Sequence, residues 1–271
     1  AASDVYKRQI LDCAKKGQDF FMYTGIGPSG PMHLGHLNTF YFTKWLQDTF
    51  KVKLWVMFSD DEKYFFKDLS EKEIETFLEE NIKDVTAVGF DPKLTNFIIN
   101  TKHANVLYKH AIKVAKKITF STVKGSFGFN NSTNIGSIFY TAMQTAPLLL
   151  EGKKRCLVPL GVDQDPHFRV SRDVIEKLGG YKPSVIHSKF MTPLSGNIGK
   201  MSTSNASSAI LTTDTPNQVK KKINKYAFSG GQDTLEKHRK LGGNVDVDVS
   251  CQWLKYYLED DKELEKIYKE Y

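Results

Sequence analysis

The 271-residue chain has few cysteines and no long apolar run. Its three cysteines, Cys13, Cys156 and Cys251, are too scattered to form a metal-ligand spacing or an even-numbered disulfide framework. Scattered free thiols are typical of a reducing compartment. No apolar stretch approaches the ~20 residues that a membrane-spanning helix needs, and no segment has the pattern of a secretory signal. Internal repeats and low-complexity segments are also missing. We therefore expect a cytoplasmic protein without a membrane partner.

The charge of the chain is moderately basic. Lysine and arginine number 38 against 31 aspartates and glutamates, which gives a formal net charge of +7 and an isoelectric point of about 9.0. Such an excess suits a polyanionic partner. Three lysine-rich runs are candidates for nucleic-acid contacts or, alternatively, ordinary solvated surface: 153–155, 220–222 and 237–240.

Apolar and amphipathic segments alternate along most of the chain. The run 54–58 is continuously apolar, as expected for a buried strand of a parallel sheet. Strands are predicted near 19–24, 53–59, 96–100, 155–160 and 184–188. Helices are predicted near 34–50, 71–87, 103–117, 134–150 and 166–178. This alternation predicts an α/β fold, with a parallel sheet covered by helices on both faces.

The two ends of the chain differ from this pattern. After about residue 213 the pattern is helical, and Thr215-Pro216 supplies a favourable N-cap and first helical residue. Residues 266–271 read as the middle of a helix, since no stop signal follows. We therefore expect a gene fragment with an incomplete all-α C-terminal part. Residues 1–9 resemble the translation of a sequencing adapter, or else form a disordered tail; neither interpretation gives them a function.

The first chemical motif, His33-Leu34-Gly35-His36, follows an apolar run and a Gly- and Pro-rich turn at 24–31. A turn that opens a helix presents unpaired N–H groups and the positive end of the helix dipole, which together attract anions. His33 and His36 are three residues apart and share one helix face. Both imidazoles can therefore donate hydrogen bonds to phosphate oxygens as charge develops there.

The second motif, Lys200-Met201-Ser202-Thr203-Ser204, lies in a loop rich in Ser, Gly and Asn. Lysine is a point charge on a flexible stem, suited to following a departing pyrophosphate, and the hydroxyls add donors. Taken singly, the first motif could be a plain helix start and the second a polar loop. Their order and context together favour a nucleotide site.

The two motifs resemble the HIGH and KMSKS signatures of class I aminoacyl-tRNA synthetases. Further segments resemble the tryptophanyl members of the archaeal and eukaryotic cytosolic type: 59–64 (SDDEKY), 124–129 (KGSFGF), 161–169 (GVDQDPHFR), 227–231 (AFSGG) and 242–250 (GGNVDVDVS). Tyrosyl-tRNA synthetases share the fold and both signatures but usually lack the DQDPxFR and AFSGG strings.

This resemblance, which runs from about residue 9 to the end, implies a domain organisation. A Rossmann-like catalytic domain is expected at 10–213, with a dimerisation insertion at about 101–152. A partial helical anticodon-binding domain is expected at 214–271. The apolar surface of a homodimer, or alternatively an ordinary intrachain core, would come from Phe127, Phe129, Ile135, Ile138 and Phe139.

The resemblance also implies a reaction and its residues. Tryptophan and ATP would give tryptophanyl-adenylate and pyrophosphate, and tryptophan would then pass to tRNA(Trp). Mg²⁺ would accompany the triphosphate, and no dedicated protein ligand for a metal is visible. The expected catalytic residues are His33, His36, Lys200 and Ser202. The expected ATP-binding residues are Thr24, Gly25, Gly27, Gly35, Gly161, Asp163, Met201 and Ser204, and the expected tryptophan-binding residues are Tyr23, Met57, Glu62 and Gln164.

Glu62 is expected to pair with the substrate's ammonium group, since a buried ammonium needs a partner. The preceding Asp60 and Asp61 are more simply explained as helix-capping residues.

Two positions depart from the family pattern. Relatives often carry Gln where this chain has Met57, and eukaryotic relatives often carry Arg where it has Ile26. Met57 cannot donate a hydrogen bond and accepts only weakly, so either Tyr23 alone contacts the indole N–H or selectivity is reduced. An apolar Met57 nevertheless suits an indole better than a phenol.

Two alternatives remain open. One is an enzyme of the same class that takes tyrosine, and the other is a non-catalytic nucleotide- or RNA-binding homologue. The intact His33, His36 and Lys200 argue against the second alternative, because a protein that only binds has no need of leaving-group contacts.

Overall fold

The computed structural model describes residues 2–196, 199–203, 205 and 207–271, and for residues 2–6 the backbone alone. The chain packs as two compact units. The first comprises the chain up to Gly30 together with Thr39–Lys189, and the second comprises Pro31–Asn38 together with Phe190–Tyr271. The division at Lys189 falls before residue 213, the predicted end of the catalytic domain, and that functional boundary stays a prediction.

The first unit is built on a parallel sheet. Its five strands within the described chain are β1 Phe20–Ile26, β2 Lys53–Phe58, β3 Thr95–Ile99, β4 Arg155–Gly161 and β5 Ser184–Ser188. They lie in the order β3-β2-β1-β4-β5, and every neighbouring pair is parallel. All five predicted strands are confirmed. The reversal of strand order at β1 and β4 is where ligands of open α/β sheets bind.

Helices connect the strands of this unit. They are α1 Ala2–Lys15, α2 Leu34–Phe50, which starts in the second unit, α3 Asp60–Phe66, α4 Glu71–Ala87, α5 Ala104–Ala115, α6 Phe120–Phe127, α7 Ile135–Thr145 and α8 Asp165–Ile175. Short 3-10 turns occupy Ala146–Leu149, Val162–Gln164 and Glu176–Leu178. The predicted helices are confirmed, although α7 ends earlier than predicted because Pro147 lies in the following 3-10 turn.

Three helices were not predicted from the sequence. α3 and α6 have only seven and eight residues, too few to show a clear helical period. α1 includes residues 2–9, for which no structure was expected. The assignment of residues 1–9 to a sequencing adapter stays a prediction.

Both faces of the sheet are covered by helices. Successive side chains of a strand point to opposite faces, and Phe20, Phe21, Met22 and Tyr23 of β1 are all buried. Phe21 and Tyr23 belong to a core cluster with residues of α5, α7 and α8, whereas Phe20 packs edge-on against a phenylalanine of α2 at 5.5 Å between ring centroids. The predicted Rossmann-like fold is therefore confirmed.

The second unit is helical after residue 215. Its helices are α9 Pro216–Tyr226, α10 Leu235–Leu241, α11 Val249–Tyr257 and α12 Asp261–Glu270. Thr215 caps α9 through a reciprocal capping box with Gln218, as the sequence predicted. A separate hydrophobic core stabilises the unit, with its buried members being Met191, Leu194, Met201, Ala209, Ile210, Val249 and Trp253.

None of the described helices combines the length and apolar character that spanning a bilayer requires.

Candidate active site

The two histidines of the first motif form a stacked pair at the start of α2. Their ring centroids are 3.7 Å apart and their planes differ by 12°. The backbone N–H of His33 donates to Nδ1 of His36, and the N–H of His36 donates to Nδ1 of His33, both at 3.3 Å. A neutral imidazole that accepts at Nδ1 carries its proton on Nε2. Each ring is thus set to donate from Nε2.

Backbone hydrogen bonds hold this pair to a distant stretch of the chain. His33 forms an isolated antiparallel bridge with Leu211, and the N–H of Thr212 donates to the carbonyl of Met32 at 2.9 Å. The N–H of Leu34 donates to the carbonyl of Ile210 at 3.2 Å. The second unit therefore fixes the first motif through residues that follow the second motif in sequence.

His33 is neutral at physiological pH. Burial, together with the positive charge of Lys200, lowers its pKa from 6.5 to about 4. A neutral ring keeps Nδ1 as an acceptor, as the stacked arrangement requires. The influence of Lys200 also shows that the two motifs lie close together.

The side chain of Met201 holds the second motif in place by packing. This side chain is buried in the core of the second unit. A Cβ added to Gly35 would lie 3.1 Å from the His33 ring and 3.6 Å from the Met201 sulfur. Glycine at position 35 thus allows the His33 ring to lie tightly against the start of α2, with Met201 at van der Waals distance. The structure brings together His33, Gly35, His36, Lys200 and Met201 as predicted from the sequence.

The remaining residues of the second motif are partly described. The backbone N–H of Ser202 donates to Oγ of Ser208 at 3.3 Å, and that hydroxyl donates back to the Ser202 carbonyl at 3.0 Å. The ammonium of Lys200 lies over the ring of Phe190, 5.8 Å from its centroid. Ser204 lies outside the described residues, so its predicted contact with ATP stays a prediction.

A second candidate region lies inside the first unit, around Tyr23 of β1. This tyrosine is 1% exposed. Its hydroxyl lies 3.1 Å from the carbonyl of Gln144 and 3.4 Å from the sulfur of Met57, and it can donate to either. Burial raises the pKa of Tyr23 well above its usual value, so the phenol keeps its proton. Tyr23 and Met57 therefore meet as the sequence predicted.

Glu62 lies on α3 among polar side chains. Oε2 of Glu62 accepts from the Ser59 hydroxyl at 2.8 Å, and Oε1 accepts from the Lys63 ammonium at 2.9 Å. A Cβ on Gly27 would come within 2.0 Å of the Lys63 side chain and 2.6 Å of the Glu62 carboxylate. The Glu62–Lys63 pair therefore lies directly against the loop after β1, and a side chain at position 27 would displace the ends of both side chains.

The N-cap position of α3 is Ser59, which corrects the N-cap role expected for Asp60 and Asp61. Asp61 still supports the start of this helix, because its carboxylate accepts from the first-turn N–H of Glu62 at 2.8 Å. Asp60 accepts hydrogen bonds from Thr101, and Asp61 accepts from the Asn100 amide at 2.8 Å. Burial raises the pKa of Asp61 to about 6. These carboxylates therefore tie α3 to the end of β3.

The other residues predicted to bind ATP lie at the carboxyl ends of β1 and β4. The Thr24 hydroxyl donates to the Pro159 carbonyl of β4 at 2.9 Å, and a Cβ on Gly25 would lie 2.6 Å from the Met57 carbonyl. Both residues thus also serve packing between strands. Gly161 ends β4, and Asp163 and Gln164 follow in the 3-10 turn before α8. Their predicted roles stay predictions.

Three polar residues near this region were missed by sequence reasoning. Tyr140 donates from its hydroxyl to the side-chain oxygen of Gln144, and His167 of α8 lies 5.7 Å from the Tyr140 ring. Tyr140 and Gln144 are buried and stand four residues apart on one face of α7. A Tyr and a Gln at this spacing, in a helix without charged residues, could have indicated a functional face.

The comparisons with known proteins agree with this geometry. The sequence model of the family described as class I tRNA synthetases (W and Y) matches residues 15–271. The chain therefore belongs to the class I tRNA synthetases, and the resemblance noted in the sequence is confirmed.

Individual relatives narrow the comparison to one member of this class. The chain is 49% identical to the tryptophan–tRNA ligase of Sulfolobus acidocaldarius over 97% of its own length and 69% of that protein. It is 45% identical to the human cytoplasmic tryptophan–tRNA ligase, covering 97% of this chain and 59% of the human one. The crystal structure of Plasmodium falciparum tryptophanyl-tRNA synthetase is 46% identical and superposes with a TM-score of 0.88, covering 97% of this chain and 74% of that one.

Proposed function

We propose that this chain is a tryptophan–tRNA ligase, which activates tryptophan with ATP and transfers it to tRNA(Trp). The observation that carries the proposal is the assembly of His33, His36, Lys200 and Met201 in one compact unit. Membership of the class I tRNA synthetases and the similarity to tryptophan–tRNA ligases support it.

In the first step, a carboxylate oxygen of tryptophan attacks the α-phosphorus of ATP. A new bond forms between that oxygen and the phosphorus, and the bond from this phosphorus to the β,γ-pyrophosphate breaks. No general base is needed, because the carboxylate is already ionised. Catalysis then consists of positioning the reactants and stabilising the charge that builds on the phosphate oxygens.

The residues of the second unit would supply that stabilisation. Nε2–H groups of His33 and His36 would donate to phosphate oxygens, and Lys200 would neutralise the departing pyrophosphate. Ser202 would add a donor, and Gly35 and Met201 would keep the two motifs in place. Mg²⁺ would arrive with the triphosphate, whose charge it would help to neutralise.

The residues of the first unit would hold tryptophan. With its proton directed to the Gln144 carbonyl, the Tyr23 hydroxyl leaves a lone pair for the indole N–H. Met57 would then supply apolar surface rather than a hydrogen bond. Glu62 would bind the substrate's ammonium group in exchange for Lys63, and Gln164 would contact the adenylate together with Thr24, Gly25, Gly27, Gly161 and Asp163.

A homodimer is part of the proposal. Large apolar side chains between residues 101 and 152 are exposed, and Ile135 reaches 84% exposure. Exposed apolar side chains of this kind would supply apolar surface to an interface. The protein would act in the cytoplasm, and its lysine-rich runs would contact tRNA.

ATP–pyrophosphate exchange with tryptophan or tyrosine tests the proposal directly. Exchange that depends on tryptophan alone is the expected result. Exchange with tyrosine would retain the class and overturn the substrate. A chain that folds but supports exchange with neither amino acid would favour the non-catalytic homologue. Charging of a tRNA(Trp) transcript, with a tRNA(Tyr) transcript as the control, then tests the second step.

A further inference from the structure

His167 of α8 carries a buried nitrogen that lacks a partner. Its side chain is partly exposed, yet Nδ1 has no accessible surface and no hydrogen-bond partner. Buried polar atoms are almost always paired, so an unpaired one calls for an explanation, such as a role with a ligand. His167 is not among the residues proposed above to bind tryptophan.

The surroundings of this ring connect it to the proposed tryptophan pocket. The Phe127 ring lies 4.5 Å from it and the Tyr140 ring stands almost perpendicular to it at 5.7 Å. Tyr140 donates to the Gln144 side chain, and the Gln144 carbonyl lies 3.1 Å from the Tyr23 hydroxyl. One continuous set of contacts therefore runs from His167 to Tyr23.

The charges around His167 suit a cation. Burial lowers the pKa of His167 to about 4, so the ring is neutral at physiological pH; the carboxylates of Glu62 and Asp163 raise this pKa slightly and Lys63 lowers it. A neutral imidazole can accept a hydrogen bond without repelling a positive group. Two carboxylates close enough to influence the ring would oppose an anion there.

We propose that His167 binds the α-ammonium group of the substrate, its ring nitrogen accepting one N–H while Glu62 balances the charge. This inference rests on the proposed function, since it assumes an amino-acid substrate in the first unit. Nδ1 of His167 is buried. For Nδ1 to reach the substrate, the imidazole must therefore rotate about its Cβ–Cγ bond, a torsion with broad energy wells. Binding of the ammonium group then gives Nδ1 a hydrogen-bond partner.

Calorimetric binding to the full chain with three probes tests the inference. Tryptophan has both charged groups, tryptamine has only the ammonium, and indole-3-propionate has only the carboxylate. In His167→Phe, tryptophan and tryptamine should bind about tenfold more weakly or worse, because a hydrogen bond to a charged group is lost. Indole-3-propionate should bind within twofold of its affinity for the unaltered chain.

A conservative variant separates hydrogen bonding from packing. His167→Asn keeps an acceptor near the position of Nδ1 and should recover most of the affinity for tryptamine. If His167→Phe does not fold, as judged by thermal melting, His167→Leu takes its place. Equal weakening of tryptamine and indole-3-propionate, or no weakening of either, would overturn the proposal.

The unaltered chain separates this inference from the proposed function. Failure of the unaltered chain to bind tryptophan would refute the proposed function, and the role of His167 with it. Tight tryptophan binding that does not respond to position 167 would refute the role of His167 alone.

Discussion

The two motifs proposed to bind phosphate and the residues proposed to bind tryptophan rest on different kinds of structure. His33 and Met201 are positioned by loop segments, through a single bridge to Leu211 and a small core in the helical unit. Tyr23 and Met57 instead lie on neighbouring central strands and are each 1% exposed. Packing between strands and helices fixes the second pair, whereas the first pair depends on backbone hydrogen bonds and on the small core around Met201.

This difference corresponds to what each region would do. A pyrophosphate moves as it leaves, and a lysine on a loop can follow it. Selection of an aromatic side chain needs a rigid cavity with correctly placed polar groups. Substitutions in the two regions should therefore have separable effects, on the rate of adenylate formation in one case and on tryptophan affinity in the other.

The sharpest test of this separation is the double variant His36→Ala with Lys200→Ala. Adenylate formation should fall by about 10²–10³-fold or more, because donors to the developing phosphate charge are lost. Tryptophan affinity should stay within twofold. The first quantity comes from pyrophosphate exchange and the second from calorimetry. Equal losses in both would refute the assigned transition-state role.

Tyr23→Phe should weaken tryptophan binding, whereas the double variant should slow adenylate formation, and the change should be smaller than in the double variant. The ring still packs 6.0 Å from the Phe168 ring, but the substrate's N–H loses its acceptor and the Gln144 carbonyl loses its donor. Tryptophan should bind about tenfold more weakly, and the KM for ATP should not change. Tyr41→Phe, at a tyrosine that is 46% exposed, is the matched control. A raised KM for ATP would contradict the separation.

Asp61→Asn probes the stability of the pocket walls. The folded-state pKa of Asp61 is raised from 3.8 to about 6, so the stability contributed by its protonated form is complete below pH 4 and lost as the pH rises through 6. Asparagine avoids this loss. The free energy of unfolding in urea should therefore be nearly unchanged at pH 4 and higher than that of the unaltered chain by about 1–2 kcal/mol at pH 7.5.

The exposed Asp68 provides the control for that measurement. Asp68→Asn should change the unfolding free energy by less than about 0.5 kcal/mol. A gain at position 61 that does not depend on pH would show that the buried carboxylate is not its source.

The smallest expected change in stability comes from the N-cap of α9, in the helical part of the second unit. Thr215→Ala removes the capping box of α9 and should lower the unfolding free energy by about 1 kcal/mol. Thr215→Ser should restore it. Neither variant should alter tryptophan affinity or the rate of adenylate formation, and a change in either quantity would mean that α9 is coupled to the site.

The sequence predicted the strands well, because buried parallel strands such as β2 are continuous apolar runs. It also predicted that the two motifs lie together, because each is a short string with its own chemistry; their binding of phosphate stays a prediction. The N-cap position of α3 was predicted wrongly, because Asp60 and Ser59 are both good capping residues and only backbone geometry distinguishes them. Asp61 nevertheless accepts from a first-turn N–H of this helix.

Contacts between distant segments could not be read from the sequence. Tyr23 and Gln144 are 121 positions apart, and nothing in either segment indicates the other. The unpaired nitrogen of His167 is likewise visible only once α6, α7 and α8 are packed together. The ATP and tryptophan contacts assigned to individual residues stay predictions until ligands are measured.

The central position of β1 has a consequence for the order of folding. Its pairing with β2 is relatively local, but its pairing with β4 joins Phe20 to Arg155 across most of the unit. A nascent chain synthesised as far as about residue 130 would already contain Tyr23, Met57 and Glu62 but lack α7, β4 and α8. Closing so long a loop is slow, so these pocket residues would remain half-enclosed during synthesis. Such partly assembled sheets are where chaperones are most needed.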